Sequence, residues 1–383
     1  MTCPDYHIGA NDLPGLDNDR LQDLRGRIQH AVDKGPLPSI QIALAKDGRL
    51  ALFETFGAAD NNTRYSVYSC TKPLVAAAIW RLMAEGLIDI ENTVAHYIPC
   101  FADNGKETVT VEQVLCHTSG FPRAPMAAPD WWTREGRLDQ MRRWHLSWPP
   151  GSQMEYHALS GHWVLAELIE SVTGTDYRQY IQSGIIEPLG LKGLRLGVPE
   201  DEQGDIATLQ HVGEPPTSQE LRDLLGSDIE WPNTVDDSLL MFNDPAVRAL
   251  GVPGGGAVAC AADMALFYQC LLNNPGELWS PQVLADALGR VRVEFPDPIT
   301  GAPANRGLGV VIAGSGKFLS YRGMGTKVSP RAFGHQGVGG QVAWGDPVSG
   351  LSFCMLTNGL DVNPLRSAQL CAAASNRAGA CAV

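Results

Sequence analysis

Ser69 and Lys72 are the first residues in this 383-residue chain whose types and spacing permit covalent chemistry. A serine hydroxyl is a weak nucleophile until a base takes its proton and a donor set holds the oxyanion it creates. Three residues apart at a helix start, the two side chains share a face, so the amine reaches the hydroxyl; burial then lowers the amine's pKa toward neutrality. The Ser69 N–H at that end is free to donate to an oxyanion. Ser-x-x-Lys occurs once in the chain, although the pair alone also describes a capping serine beside a solvated lysine. Two further segments give it meaning. Glu155-Tyr156-His157-Ala158 offers a phenol that, held beside an ammonium, ionises below its usual pKa near 10 and serves as acid or base. Gly334-His335-Gln336-Gly337-Val338-Gly339-Gly340 precedes a strand; its glycines let a ligand lie close, and the Val338 N–H is placed to complete an oxyanion hole with Ser69.

The elements that must position these residues are legible in outline. An amphipathic stretch from Asp17 to Val32 precedes two apolar runs, Ile40 to Ala45 and Leu50 to Phe56, joined through Asp47-Gly48, a hairpin signal. Ser69 opens a helix with Pro73 in its first turn and Gly86 at its end. From Ile88 to Asn243 the pattern is short helices and loops, with one clear helix from Leu159 to Val172 closed by Gly174. Strand patterns return at Gly307 to Ala313, Gln341 to Trp344 and Leu351 to Leu356, before an alanine-rich helix from Asn363 to Ala374. The fold class is therefore α+β: an antiparallel sheet built from both ends of the chain, flanked by helices, with a mainly helical insertion. The division is a discontinuous sheet domain, residues 1–65 and 250–383, and a helical domain, 66–249.

Composition narrows the partners. A net charge of −13 leaves no basic stripe for nucleic acid or an anionic membrane, and no run of about 18 apolar residues marks a spanning helix. The expected partner is a small molecule, with a homo-oligomer left open. Nine unpatterned cysteines and an N-terminus without an export signal suit the cytoplasm; a signal already removed would place the protein in the periplasm. No ligand spacing calls for a metal or another cofactor. Cys70 is read as a packing thiol and His117 as structural. Trp131, Trp132, Trp144 and Trp148 either line a substrate pocket or pack in the core, and Glu167 and Glu170 form a solvated helix face.

Taken in order, Ser69-Cys70-Thr71-Lys72, Tyr156-His157-Ala158 and His335-Gln336-Gly337 resemble the three active-site elements of class C β-lactamases, DD-peptidases and family VIII carboxylesterases. Leu115 through Pro122 is similar to the family's His-Thr-Ser-Gly segment, Pro253-Gly254-Gly255-Gly256 to its glycine-rich helix entry, and Gly307-Leu308-Gly309 and Asp346-Pro347 to its late strands, so the likeness spans about residues 20 to 375. It implies a β-lactamase/DD-peptidase-like fold and an acyl-Ser69 intermediate, with Lys72 and Tyr156 relaying the proton and His335, Gln336 and Gly337 beside the substrate; Trp131 and Trp132 are added to that pocket only from their crowding before Tyr156. His335 would orient substrate or hydrogen-bond Tyr156. Ala158 and His335 depart from the peptidase pattern Tyr-x-Asn and Lys-Thr-Gly, which removes an amide donor and a permanent cation. The departures favour ester hydrolysis by the carboxylesterase branch over β-lactamase, D-amino-acid peptidase or acyltransferase activity, and a non-catalytic scaffold last. The rival esterase motif Gly-x-Ser-x-Gly is absent from the sequence.

Overall fold

The computed structural model describes residues 14–225, 235–298, 300–316 and 318–383. Strand Ser39–Lys46 turns through Asp47 and Gly48, both at positive φ (51° and 76°), into strand Arg49–Gly57. Two successive left-handed residues give the turn whose twist matches that of the strands it joins. The hairpin is completed from the far end of the sequence: Ile40 pairs with Thr357 and Lys46 with Leu351, antiparallel. Beyond strand Leu351–Thr357 follow Gln341–Gly345, Phe333–Gly337 and the short Val311–Ile312, giving six antiparallel strands.

Alternation along Ser39–Lys46 assigns its two faces. Ile40, Ile42 and Leu44 pack with Leu24 and Ile28 of helix Asn18–Lys34 and with Leu370 and Ala374 of helix Pro364–Gly379. Ala43 and Ala45 point the other way, and their small side chains leave room for helix Ala261–Asn273 to join the larger core shared with the helical half. That half is organised around helix Ser160–Thr173, which is closed by Gly174 at φ 68°.

Three sequence expectations change. The Gly307 to Ala313 run shortens to a two-residue strand because Gly309 takes φ 79° and lies so close to helix Lys72–Ala84 that a Cβ would sit 2.4 Å from the Ala76 methyl. The helical middle contributes Gln210–Val212, which pairs in parallel with Gly359–Asp361. Glu167 and Glu170 are buried, not solvated: helix Arg134–Arg143 lies against them, with Arg134 Nη2 2.6 Å from Glu167 Oε1 and Arg137 Nη2 2.8 Å from Glu170 Oε2. Burial pushes the Glu170 carboxyl pKa up, and Arg137 opposes it. Removing one member of such a pair strands the other charge away from water. Glu170→Ala is therefore expected to lower stability by about 3–5 kcal/mol in urea unfolding, whereas an exposed pair would show less than about 1 kcal/mol.

Candidate active site

The α-helix that carries Lys72 begins at that residue, and Ser69 occupies the 3₁₀ turn Tyr68–Thr71 before it, not the helix itself. The correction strengthens the pairing, because side chains three apart eclipse on a 3₁₀ helix. Lys72 Nζ lies 3.0 Å from Ser69 Oγ, and the Tyr156 hydroxyl donates to the same oxygen at 2.7 Å. The turn is pinned from several sides. Val67 N–H donates to Ala257 O, Thr71 Oγ1 accepts from Ala257 N, and the Cys70 thiol, fully buried as the sequence suggested, reaches His335 O. Tyr68 is held at φ 47°, a costly conformation for a large residue, with its hydroxyl bonded to Leu239 O at 2.8 Å.

Lys72 is fully buried. Its amine donates to Ala158 O at 2.7 Å and Gly254 O at 2.6 Å. A neutral amine has two hydrogens and one lone pair, so the two carbonyls use the hydrogens and leave the lone pair facing the Ser69 hydroxyl. Burial, and next Arg306, holds the Lys72 pKa well below 10.5 and so favours that neutral form. Glycine at 254 is required by this packing, since a Cβ there would lie 2.8 Å from Ala158 O. The Tyr156 phenol goes the opposite way from the sequence expectation. Burial raises its pKa to about 12 despite the Ser69 hydrogen bond and Arg306, so it stands protonated as a donor.

Tyr156 owes its place to the residues on either side. Glu155 N–H donates to His117 O at 3.3 Å and His157 N–H to His117 Nδ1 at 3.1 Å, while the His117 ring packs 4.9 Å from the tyrosine ring, centroid to centroid. His117 thus braces Tyr156. His157 Nε2 accepts Phe121 N–H at 3.1 Å, which leaves its Nδ1–H for Glu155 O at 2.7 Å; burial lowers its pKa to about 4 and keeps it neutral.

Strand Phe333–Gly337 delivers the other wall. A Cβ on Gly337 would meet Val67 O at 2.5 Å, so only glycine lets this strand end close on the residue before the nucleophile turn, with Val338 lining the same cavity as Ser69. Ser69, Tyr156, His335, Gln336, Gly337 and Val338 line one cavity of about 610 Å³. His335 does not bond Tyr156: its Nδ1–H donates to Gln336 O at 2.7 Å, and its Nε2 faces Arg306 Nη1 at 3.3 Å. Burial, then Arg306, keeps its pKa well below 6.5. Trp131 and Trp132 are not among the cavity-lining residues; Trp131 is buried in the helical core, with Trp132 edge-on at 5.8 Å. Trp144 stacks on Phe121 and Trp148 meets His157 edge-on, behind the site.

Sequence reasoning missed Arg306. Its guanidinium is buried, lines the cavity and sits 5.3 Å from the Tyr156 ring centroid, so the permanent cation that seemed lost with His335 is supplied from another strand connection. The only signal was adjacency to Gly307-Leu308-Gly309.

A serine hydroxyl held between a buried amine and a phenol, beside a glycine-rich strand end, has the geometry that serine acyl transfer requires. In agreement, the family model described as Beta-lactamase matches residues 24–375, and the chain belongs to that family. It is 30% identical over 320 residues to the Esterase/beta-lactamase LipL of Mycobacterium tuberculosis, covering 78% of this chain and 70% of that protein. Solved structures with the same fold include a penicillin-binding protein homolog from Caulobacter crescentus, at 23% identity and TM-score 0.75 over 96% of this chain and all of that one. A family VIII carboxylesterase superposes with TM-score 0.73 at 24% identity, over 93% of this chain and 98% of that one.

Because only the unprotonated Lys72 can accept the Ser69 proton, reactivity rises with pH through the lowered lysine pKa and falls only when Tyr156 ionises near 12. Fluorophosphonate labelling of Ser69, followed by mass spectrometry across pH, is expected to show that broad plateau, and Lys72→Met to abolish labelling. A rate still climbing at pH 10 would show Lys72 to be an ordinary ammonium.

Proposed function

We propose that the protein hydrolyses carboxylic esters through an acyl-Ser69 intermediate. Lys72 takes the Ser69 proton as the oxygen attacks the ester carbonyl. The Ser69 and Val338 N–H groups hold the oxyanion, and Tyr156 protonates the departing alkoxide while regaining a proton from Lys72. Water then releases the acid by the same relay in reverse. The observation that carries the choice of ester is Ala158: its carbonyl is spent on Lys72, and its methyl offers no donor to a substrate amide. A site built to bind an amide group discriminates strongly against its loss, whereas an ester asks for less at that point. The relative named as both esterase and β-lactamase supports a site able to take an ester and does not by itself separate the two substrates.

The exposed Val338 and Tyr321 at the cavity wall suit an apolar acyl or alcohol group. A short p-nitrophenyl ester and a chromogenic cephalosporin, compared side by side, are expected to differ in kcat/KM by about 10³-fold or more in favour of the ester. Faster turnover of the cephalosporin would overturn the reading. Gly337→Ala, which drives a methyl against Val67 O, is expected to displace the Val338 donor and reduce kcat about 10²–10³-fold while the circular dichroism spectrum is retained.

A further inference from the structure

Arg306 is a buried cation that no structural pairing explains. Its side chain forms no ion pair with a carboxylate among the described residues, and its Nε is buried without a hydrogen-bond partner. Burying a charge is costly, and well-packed apolar residues of similar volume commonly replace buried ions without loss of stability. Its surroundings point instead to the reaction. The guanidinium lies 5.3 Å from the Tyr156 ring centroid and holds His335 Nε2 at 3.3 Å; the amine of Lys72 lies 4.9 Å from the same tyrosine ring on its own account.

We propose that Arg306 is a positioning residue of this site, whose fixed positive charge keeps the Lys72 amine in its base form and steadies the Tyr156 oxygen while that oxygen passes its proton. The inference rests on the acyl-transfer reading above but not on the ester as substrate. Among the groups around the amine, Arg306 alone carries a permanent positive charge. Cys70 on the nucleophile turn is held as a thiol by burial, with a pKa raised beyond its ordinary range. The imidazoles of His117, His162 and His335 are held neutral by burial, with Arg306 contributing in each. Tyr156 remains protonated, Cys116 is a buried thiol, and Asp297 acts on Arg306 from the cavity wall. A positive charge there opposes a second one on Lys72. It favours a negative one on Tyr156. The first effect leaves Lys72 unprotonated before the attack and ready to pass on the Ser69 proton afterwards; the second eases the proton's departure from Tyr156 to the leaving oxygen.

The test uses the labelling rate of Ser69 with a fluorophosphonate across pH, which needs the activated serine but no particular substrate. Arg306→Met is expected to move the acid limb upward by about one pH unit, a tenfold slower rate on that limb, with an unfolding midpoint no lower than wild type. Arg306→Gln, which keeps a hydrogen bond to His335 without the charge, must show the same shift and decides the matter if the methionine variant does not fold. Arg306→Lys must recover most of the wild-type position. Limbs unmoved in Arg306→Gln, or equal displacement in the glutamine and lysine variants, would overturn the proposal. A chain that labels normally yet hydrolyses no ester would sink the ester reading and leave this one standing.

Discussion

The amine of Lys72 has been taken out of water and given main-chain carbonyls in place of a carboxylate, and the site follows from that exchange. Ala158 O and Gly254 O come from segments almost a hundred residues apart, and each has to approach within hydrogen-bond distance of one nitrogen. The first belongs to the segment that presents Tyr156. The second belongs to a glycine run that only glycine can thread past Ala158 and Leu159. Satisfying one buried donor group therefore fixes the nucleophile turn, the tyrosine and the glycine run relative to one another. A counter-charge would have held the lysine equally well but would have kept it protonated and useless as a base.

Much of this was readable in the residues, and the limits of the reading have physical reasons. Asp47-Gly48 specifies its turn locally, and Ser69 with Lys72 is a contact between near neighbours, so both survive the passage from sequence to structure. Helix Pro364–Gly379 likewise starts beside Asn363, whose side chain accepts from Leu365 and Arg366 N–H groups. What sequence could not show depends on partners brought from elsewhere. Glu167 and Glu170 have the spacing of a solvated face, and only the helix bearing Arg134 and Arg137 turns it inward. The tryptophans of residues 131–148 looked equally fit for a pocket or a core, since an indole's composition does not say which cavity it faces. Arg306 has no motif at all, and its role is set by where a loop crosses the tyrosine. The tyrosine's own proton affinity inverted because burial outweighs the neighbouring positive charge.

The glycine positions show how the scaffold trades side chains for proximity. At 254, 309 and 337 a single added carbon would meet another segment at 2.8, 2.4 and 2.5 Å. Gly337 lies against the residue before the Ser69 turn, Gly254 against the segment that follows Tyr156, and Gly309 against the helix that carries Lys72. Strain accompanies them at Tyr68 and His117, two non-glycine residues at positive φ that flank the nucleophile and the tyrosine brace. Approaches as close occur elsewhere, as at Gly57 and Gly120, but at 254 and 337 they act where small displacements would separate Ser69 from its two partners.

The strand that starts the sheet has its second neighbour near the other end of the chain, Ile40 against Thr357. During synthesis the first hairpin must wait, one edge unpaired, while about three hundred further residues emerge, at roughly 5–20 residues per second. The helical half, rich in local contacts, can consolidate during that interval, but the strand carrying Gly337 closes on Val67 only when the sheet does. Assembly of the Gly337–Val338 edge of the site is thus among the last events in the molecule's formation. A chain that ends before the Leu351–Thr357 strand lacks the strand that joins the first hairpin to the strands carrying Gly337.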